Sequence, residues 1–350
     1  MNNAVKTLED GTGQRLLQER WWSESISDIA QLAPIQEVRA PILAAKGVCV
    51  DIKREDLLCP YLGGNKLYKL HFHLRRALIL RAHTIATFGG AYSNHIYALA
   101  RAGFELGIKT IGIIRGEQPS VLSPTLRDAE AMGMRLIFVS RSAYRDKHSV
   151  AAKTRWGLNV SGLYTVPEGG GDLRGALGMA EYWRCVQQNH PVYDAVVIAA
   201  GTGASLAGIM AASQAPVSVH GLLMLKGGAK LNQRYSRHVL AMAHALRCRL
   251  APVAPTANGC RVRPISWQLH TDLHQGGYGP AKGDNAEAMS RLSASTGIPL
   301  DPVYTGKMLC GVLALVEQDV WSSGQRVLLI HSGGLQGGRS LAVPAAGRHD

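Results

Sequence analysis

Two short stretches hold the residue types and spacing that chemistry needs. The first runs Gly63, Gly64, Asn65, Lys66, Leu67, Tyr68, Lys69, Leu70, and the second runs Phe88, Gly89, Gly90, Ala91, Tyr92, Ser93, Asn94, His95. Lys66 stands at the mouth of a segment in which Leu67, Leu70, Leu74 and Leu78 recur at helical spacing. In the first turn of a helix, unpaired N–H groups and the helix dipole disfavour another positive charge. The pattern predicts a lysine of lowered pKa, and a neutral amine is a nucleophile. The second stretch repeats the design, with an apolar strand over Thr84 to Phe88, two glycines, then Ser93 and Asn94 opening a helix. Such helix starts bind anions through free N–H groups. A reactive lysine beside two anion cradles points to a covalently held cofactor that carries a phosphate. Against this, a lysine at a helix start is most often a solvated surface charge, and Gly-Gly before a helix is most often a tight connection.

The elements that must position these residues alternate. Strands are predicted at 47–53, 84–88, 109–115, 135–140, 163–166, 195–200, 218–224, 264–270 and 326–331, with helices at 66–82, 93–106, 125–132, 147–156, 173–188, after Gly203, and at 232–246, 285–295 and 306–319. Repeated βα alternation implies an α/β protein, a parallel sheet with helices on both faces. Residues 1–35 read as an amphipathic helical lead-in packed by Leu16, Leu17, Trp21 and Trp22, and 343–350 as a mobile tail.

Composition narrows the function classes. The 350 residues suffice for one large or two ordinary domains. With 46% hydrophobic and 18% charged residues, the chain reads as soluble and globular. A formal net charge of +13 raises nucleic acid as a partner, but the Lys and Arg are scattered, and the 6% aromatic residues are not interleaved with them. A basic surface that attracts anionic small molecules is the better reading, with no nucleic-acid partner. Cys49, Cys59, Cys185, Cys248, Cys260 and Cys310 are dispersed without a CxxC pair, as in reduced thiols of a cytoplasmic protein, and no metal site is read. The N-terminus, with Glu9, Asp10 and Glu19, lacks the apolar core of a signal peptide. The apolar stretch Ala195 to Ala212 is broken by Gly201-Thr202-Gly203 and reads as strand, turn and helix rather than a membrane span.

Further glycine turns follow predicted strands at Gly169–Gly171, Gly201–Gly203 and Gly333–Gly334, and in open parallel sheets ligands bind outside the carboxyl ends of strands. In Ala199 to Gly208 small residues let backbone N–H groups approach a phosphate, with Thr202 and Ser205 hydroxyls as extra donors. A dinucleotide site is the rival, but the third glycine is displaced and no acidic residue follows about twenty residues on. A P-loop is excluded, since no GK[ST] follows. In Leu300 to Gly311, Tyr304 offers a flat ring and Thr305 a neutral hydroxyl, while Tyr278 sits in a Gly-Gly-Tyr-Gly loop. Taken alone, these tyrosines are most often packing residues.

KRED (Lys53 to Asp56), GGNKLYKL, FGGAYSNH, GTGAS, GGYG and DPVYTGKM, in this order and spacing, resemble the 1-aminocyclopropane-1-carboxylate deaminase / D-cysteine desulfhydrase family. These are pyridoxal-phosphate enzymes of fold type II, the tryptophan-synthase-β-like class. The resemblance runs from about Ile42 to Gly338, and the wording TFGGAYSNH, IRGE, PEGG, DPVYTGKM and HSGGLQG is most similar to a shorter bacterial branch.

The resemblance implies that Lys66 carries pyridoxal 5'-phosphate and that Lys69 faces its phosphate with Gly201, Thr202, Gly203, Ala204 and Ser205. It places Asn94 on the ring hydroxyl, Ser93 beside the substrate, and the Gly90, Ala91, Tyr92, Ser93, Asn94 backbone around the substrate carboxylate. It stacks Tyr304 on the ring and closes Tyr278 over the substrate. Where the deaminase has Glu facing the ring nitrogen, this chain has Thr305, as the desulfhydrases do; Tyr92 and Glu168 depart as well. A hydroxyl makes the ring a weaker electron sink than a carboxylate does, which suits β-elimination better than ring opening.

The expected activity is a lyase carrying out α,β-elimination and deamination of a small amino acid, D-cysteine for choice, with keto acid and ammonia as products. Deamination of 1-aminocyclopropane-1-carboxylate, racemisation, and a ligand sensor without turnover are the alternatives. The resemblance further implies a homodimer of two-domain subunits with open twisted, mostly parallel sheets. The large domain is expected at 36–81 plus 189–342, and a small one is inserted at 82–188.

Overall fold

The structure, a computed structural model, describes residues 7–9, 15–17, 24–58, 64–214, 216–250 and 266–336. The larger of its two main sheets has six strands in the spatial order Trp267–His270, Ser218–Leu223, Ala195–Ala200, Arg326–Ile330, Cys49–Lys53, Ile35–Glu37. Every pairing is parallel except the last, where Ile35–Glu37 runs antiparallel to Cys49–Lys53. The smaller sheet is wholly parallel, with four strands in the order Met134–Val139, Lys109–Arg115, Thr84–Gly89, Leu163–Thr165.

Apolar strands and covered sheets explain each other. Ala195–Ala200 is buried along its whole length, with Val196, Ile198 and Ala200 in one core and Ala195, Val197 and Ala199 in another on the opposite face. That is the two-residue period of a strand between two layers of helix. The first core continues toward the smaller sheet: Leu67, Leu70 and Leu74 of the Lys66–Ile79 helix join Ile85, Ile96 and Ile114 in it. Helix Leu173–Asn189 packs on the Ile26–Leu32, Lys66–Ile79, Ala204–Ala212 and Ala229–Leu250 helices. The apolar stretch from Ala195 is strand to Ala200 and helix from Ala204 to Ala212. No helix among the described residues is long and apolar enough to cross a membrane.

The lead-in departs from expectation. Thr7–Glu9 and Arg15–Leu17 pair antiparallel, and helix begins only at Ile26–Leu32. An Asp-Gly-Thr-Gly run at 10–13 favours chain reversal over a continuous helix, which the apolar spacing alone did not reveal. Three short pieces, strand Ile35–Glu37 and helices Pro41–Lys46 and Arg141–Arg145, carry too few residues to show a period. Trp21, Trp22, Gly63 and the 343–350 tail lie outside the described residues, as do Cys59 and Cys260; the four described cysteines form no disulfide with one another.

Candidate active site

Lys66 is the first residue of its helix, as the glycine pattern predicts. Gly64 makes this possible: its φ is +99°, and a Cβ there would lie 2.1 Å from the Ser332 carbonyl oxygen. Asn65 then donates its backbone N–H to that carbonyl at 3.3 Å. Its side chain accepts from Lys66 Nζ at 2.5 Å and donates to Ser205 Oγ at 3.1 Å, tying the start of one helix to the start of another. Burial pulls the Lys66 pKa down to about 8, with the nearby Asp301 carboxylate opposing the shift.

Lys66 stands where two connected pockets meet. The smaller, about 50 Å³, is lined by Lys69, Gly201, Thr202, Gly203, Ser205 and Ser332 among others. The larger, about 410 Å³, adds Ser93, Asn94, His95, Arg115, Glu168, Tyr235 and Tyr278, with Tyr304 bordering both. Lys69 is only 4% exposed and donates to Thr202 Oγ1 at 3.2 Å, with no carboxylate paired to it among the described residues. Burial and the neighbouring Lys66 hold its pKa well below the ordinary lysine value. Beside it the Ala204–Ala212 helix starts from Gly203, φ +89°, with no side-chain cap. A Cβ on Gly203 would come within 2.7 Å of Val239. A buried cation without a carboxylate partner facing an uncapped helix start is an anion cradle.

On the other wall, Ser93 caps the Asn94–Leu106 helix by accepting from Ile96 N at 3.3 Å, which leaves its hydroxyl proton free to donate. Asn94 Oδ1 accepts from Gln336 Nε2 at 3.0 Å. The Tyr278 and Tyr304 rings meet edge-on with centroids 6.2 Å apart. Burial raises the phenol pKa of both rings, that of Tyr304 well above the usual value, although Tyr278 is 48% exposed. Glu168 is paired with Lys147 at 3.4 Å.

Not every expected residue reaches the cavity wall. Gly90, Ala91 and Tyr92 do not line it, and Tyr92 is 41% exposed. Ala204 is buried as the first residue of its helix. Thr305 is fully buried, and its hydroxyl is committed to Asp301, donating to Oδ2 at 2.6 Å and accepting from the Asp301 N–H at 3.0 Å. Asp301 also accepts from the backbone N–H groups of Val303, Tyr304 and Thr305, at 2.9, 2.9 and 2.8 Å.

Asn65, His95, Arg115, Tyr235, Asp301 and Ser332 were missed as site residues, although most sit inside motifs already singled out. His95 is the clearest of these. Its Nε2 lies 2.9 Å from Thr87 Oγ1, and that hydroxyl donates its proton to the Val166 carbonyl at 3.0 Å. Burial, then the Lys69 and Lys66 charges, keep the ring neutral by lowering its pKa well below the usual value.

An amine of lowered pKa between an anion cradle and a ring-lined cavity fits pyridoxal phosphate. The chain belongs to the pyridoxal-phosphate dependent enzymes, whose family model matches residues 30–333. It is a pyridoxal-phosphate-dependent enzyme of fold type II, homologous to proteins named as D-cysteine desulfhydrase and 1-aminocyclopropane-1-carboxylate deaminase.

It is 31% identical over 300 residues to a Pyrococcus abyssi protein provisionally named 1-aminocyclopropane-1-carboxylate deaminase, a match covering 83% of this chain and 86% of that one. It is 28% identical over 298 residues to the D-cysteine desulfhydrase of Yersinia enterocolitica, covering 81% and 86%. Among solved structures, an ACC deaminase homologue superposes with a TM-score of 0.71 at 28% identity, over 89% of this chain and 93% of that one. Threonine deaminase isoform 2 from Solanum lycopersicum, at 16% identity, has a TM-score of 0.60 over 90% and 81%, a likeness of fold alone.

Proposed function

We propose that the protein is a lyase that eliminates the β-substituent of a small amino acid, D-cysteine for choice. The substrate gives up its Cα proton and its β-substituent together as HX, and water replaces the amine, leaving a keto acid and ammonium. Bound at Lys66, the cofactor would supply the electron sink that makes the Cα proton acidic. The observation that carries this reading is the Lys66 amine, pulled down to about 8 at the junction of the anion cradle and the larger cavity.

The chain's own groups have separate tasks in this reading. Lys66 Nζ, with its pKa near the working pH, takes the proton from the substrate Cα. Lys69, Thr202 and the free N–H groups at Gly203 to Ser205 hold the phosphate. Ser93 Oγ donates its free proton to the substrate carboxylate, Asn94 orients the ring, and the Tyr278 and Tyr304 rings exclude water. We further assign the four-stranded sheet, within the 82–188 segment, the role of closing on the larger sheet. The reading extends to a cytoplasmic homodimer, which sizing of the purified protein tests.

The test is release of pyruvate and sulfide from D-cysteine by the holoenzyme, run against L-cysteine. No product from either, nor from any other β-substituted alanine, rejects elimination. Ring-opening deamination is the second reading, and the Asp301 carboxylate favours it by placing a buried negative charge near Lys66. Formation of 2-oxobutanoate and ammonium from 1-aminocyclopropane-1-carboxylate decides for that alternative.

A further inference from the structure

The Ile114-Arg115-Gly116-Glu117 motif is unused in the reading above, and its arginine faces the site. Arg115 is the last residue of strand Lys109–Arg115, whose interior is buried while Arg115 itself is exposed. It lines the larger cavity beside Glu168, Leu225, Tyr235 and Tyr278. The neighbouring strand ends at Gly89, just before the Ser93 cap, and the strand beyond that ends at Thr165, just before Glu168. Three parallel strands of one sheet thus deliver side chains to one cavity from their carboxyl ends, where open parallel sheets bind ligands.

Among the described residues, no hydrogen bond or ion pair engages the Arg115 guanidinium. The carboxylate that shares its wall, Glu168, is already engaged by Lys147 at 3.4 Å. A guanidinium keeps its charge at every accessible pH and presents a planar fork of donors matched to a carboxylate. The other groups that bind negative charge are accounted for. On the proposed reading Lys69 and the Gly203 helix start serve the cofactor phosphate, and Ser93 serves the substrate α-carboxylate. Arg115 is a further cation on the wall, with no anion assigned to it.

We propose that Arg115 binds a second anionic group at the end of an amino acid's side chain, so that, at equal side-chain length, amino acids ending in an acidic group bind more tightly than neutral ones. This rests on the amino-acid-lyase reading of the site, and it names the substrate class within that reading. Leu225 and Tyr235 would flank the methylene chain leading to that group.

The test uses the holoenzyme and a matched pair without a β-leaving group, glutamate and glutamine, each enantiomer separately. Calorimetry or the change in cofactor absorbance gives the two dissociation constants. Glutamate is expected to bind roughly 10- to 100-fold tighter than glutamine, the range of a charge-assisted hydrogen-bonded pair. Arg115→Gln is expected to bring the ratio near one, and Arg115→Lys to leave an intermediate ratio, since charge survives without the fork.

Equal binding of the pair by the parent enzyme overturns the inference without recourse to any variant. So does an Arg115→Gln variant that weakens both ligands by the same factor, because Arg115 would then hold a group common to all amino acids. Pyruvate release from D-cysteine without any preference for the acidic ligand leaves elimination standing and sinks only this inference. A preference for glutamate in a protein that releases no keto acid does the reverse.

Discussion

Among the described residues, four helices begin at the cavity, and they begin in two ways. The chain itself holds two of them: Ser93 Oγ caps the Asn94–Leu106 helix, and the Asp301 carboxylate binds the Thr305 N–H that opens the Thr305–Glu317 helix together with the Val303 and Tyr304 N–H groups leading into it. The Lys66–Ile79 and Ala204–Ala212 helices have no side-chain cap. A helix start leaves four N–H groups without partners inside the helix. Where a side chain satisfies them, the chain stabilises itself; where none does, the groups are left for a ligand. The uncapped pair borders the smaller pocket with Lys69, so on the proposed reading the cofactor phosphate belongs to that side.

Substitutions on the two sides should therefore fail differently. The largest effect is expected from Lys66→Ala, which removes the amine but no cap. Turnover should fall about ten-thousand-fold or more while the denaturation midpoint of the cofactor-free protein barely moves. Retained turnover would remove Lys66 from its role. Next comes Thr305→Glu, on the capped side. It forces a second carboxylate against Asp301 at a fully buried position and should cost about 3 kcal/mol or more in urea denaturation. An unchanged midpoint would mean the Asp301 contact is not made.

Lys69→Met sharpens the contrast, because it should weaken cofactor retention roughly 10- to 100-fold, measured by equilibrium dialysis. Cofactor-free protein should be no less stable than the parent, since an uncompensated buried cation is removed. A large loss of stability would make Lys69 a structural residue instead. The smallest effect is expected for Ser93→Ala, about 1 kcal/mol from the lost cap together with a raised KM, with Ser93→Thr restoring the cap but not the fit. A KM change without a stability change would show that the cap contributes nothing.

Lys66 was legible in the sequence because a glycine pair, an asparagine and a helical run of leucines leave few alternatives to a helix start at that lysine. Strand Ala195–Ala200 and helix Ala204–Ala212 were legible for the same reason, an apolar run broken by Gly-Thr-Gly. Asp301 was not, since its role depends on a turn that folds its carboxylate back onto three N–H groups following it. His95 and Arg115 were hidden differently: each lies in a visible motif, but only the meeting of strand ends brings them to the cavity. Ile35–Glu37 reverses the expected parallel pattern at the edge of the larger sheet, and three residues are too few to announce a strand.

The most direct measurement is borohydride reduction of the holoenzyme, which locks the bond between cofactor and lysine, followed by peptide mapping of the label. One pyridoxyl group on Lys66 is expected. Uptake of cofactor by the apoprotein should become faster as pH rises through about 8, as the free amine forms. Label on Lys69 or any other lysine, or none at all, would contradict the assignment of Lys66 as the residue that holds the cofactor.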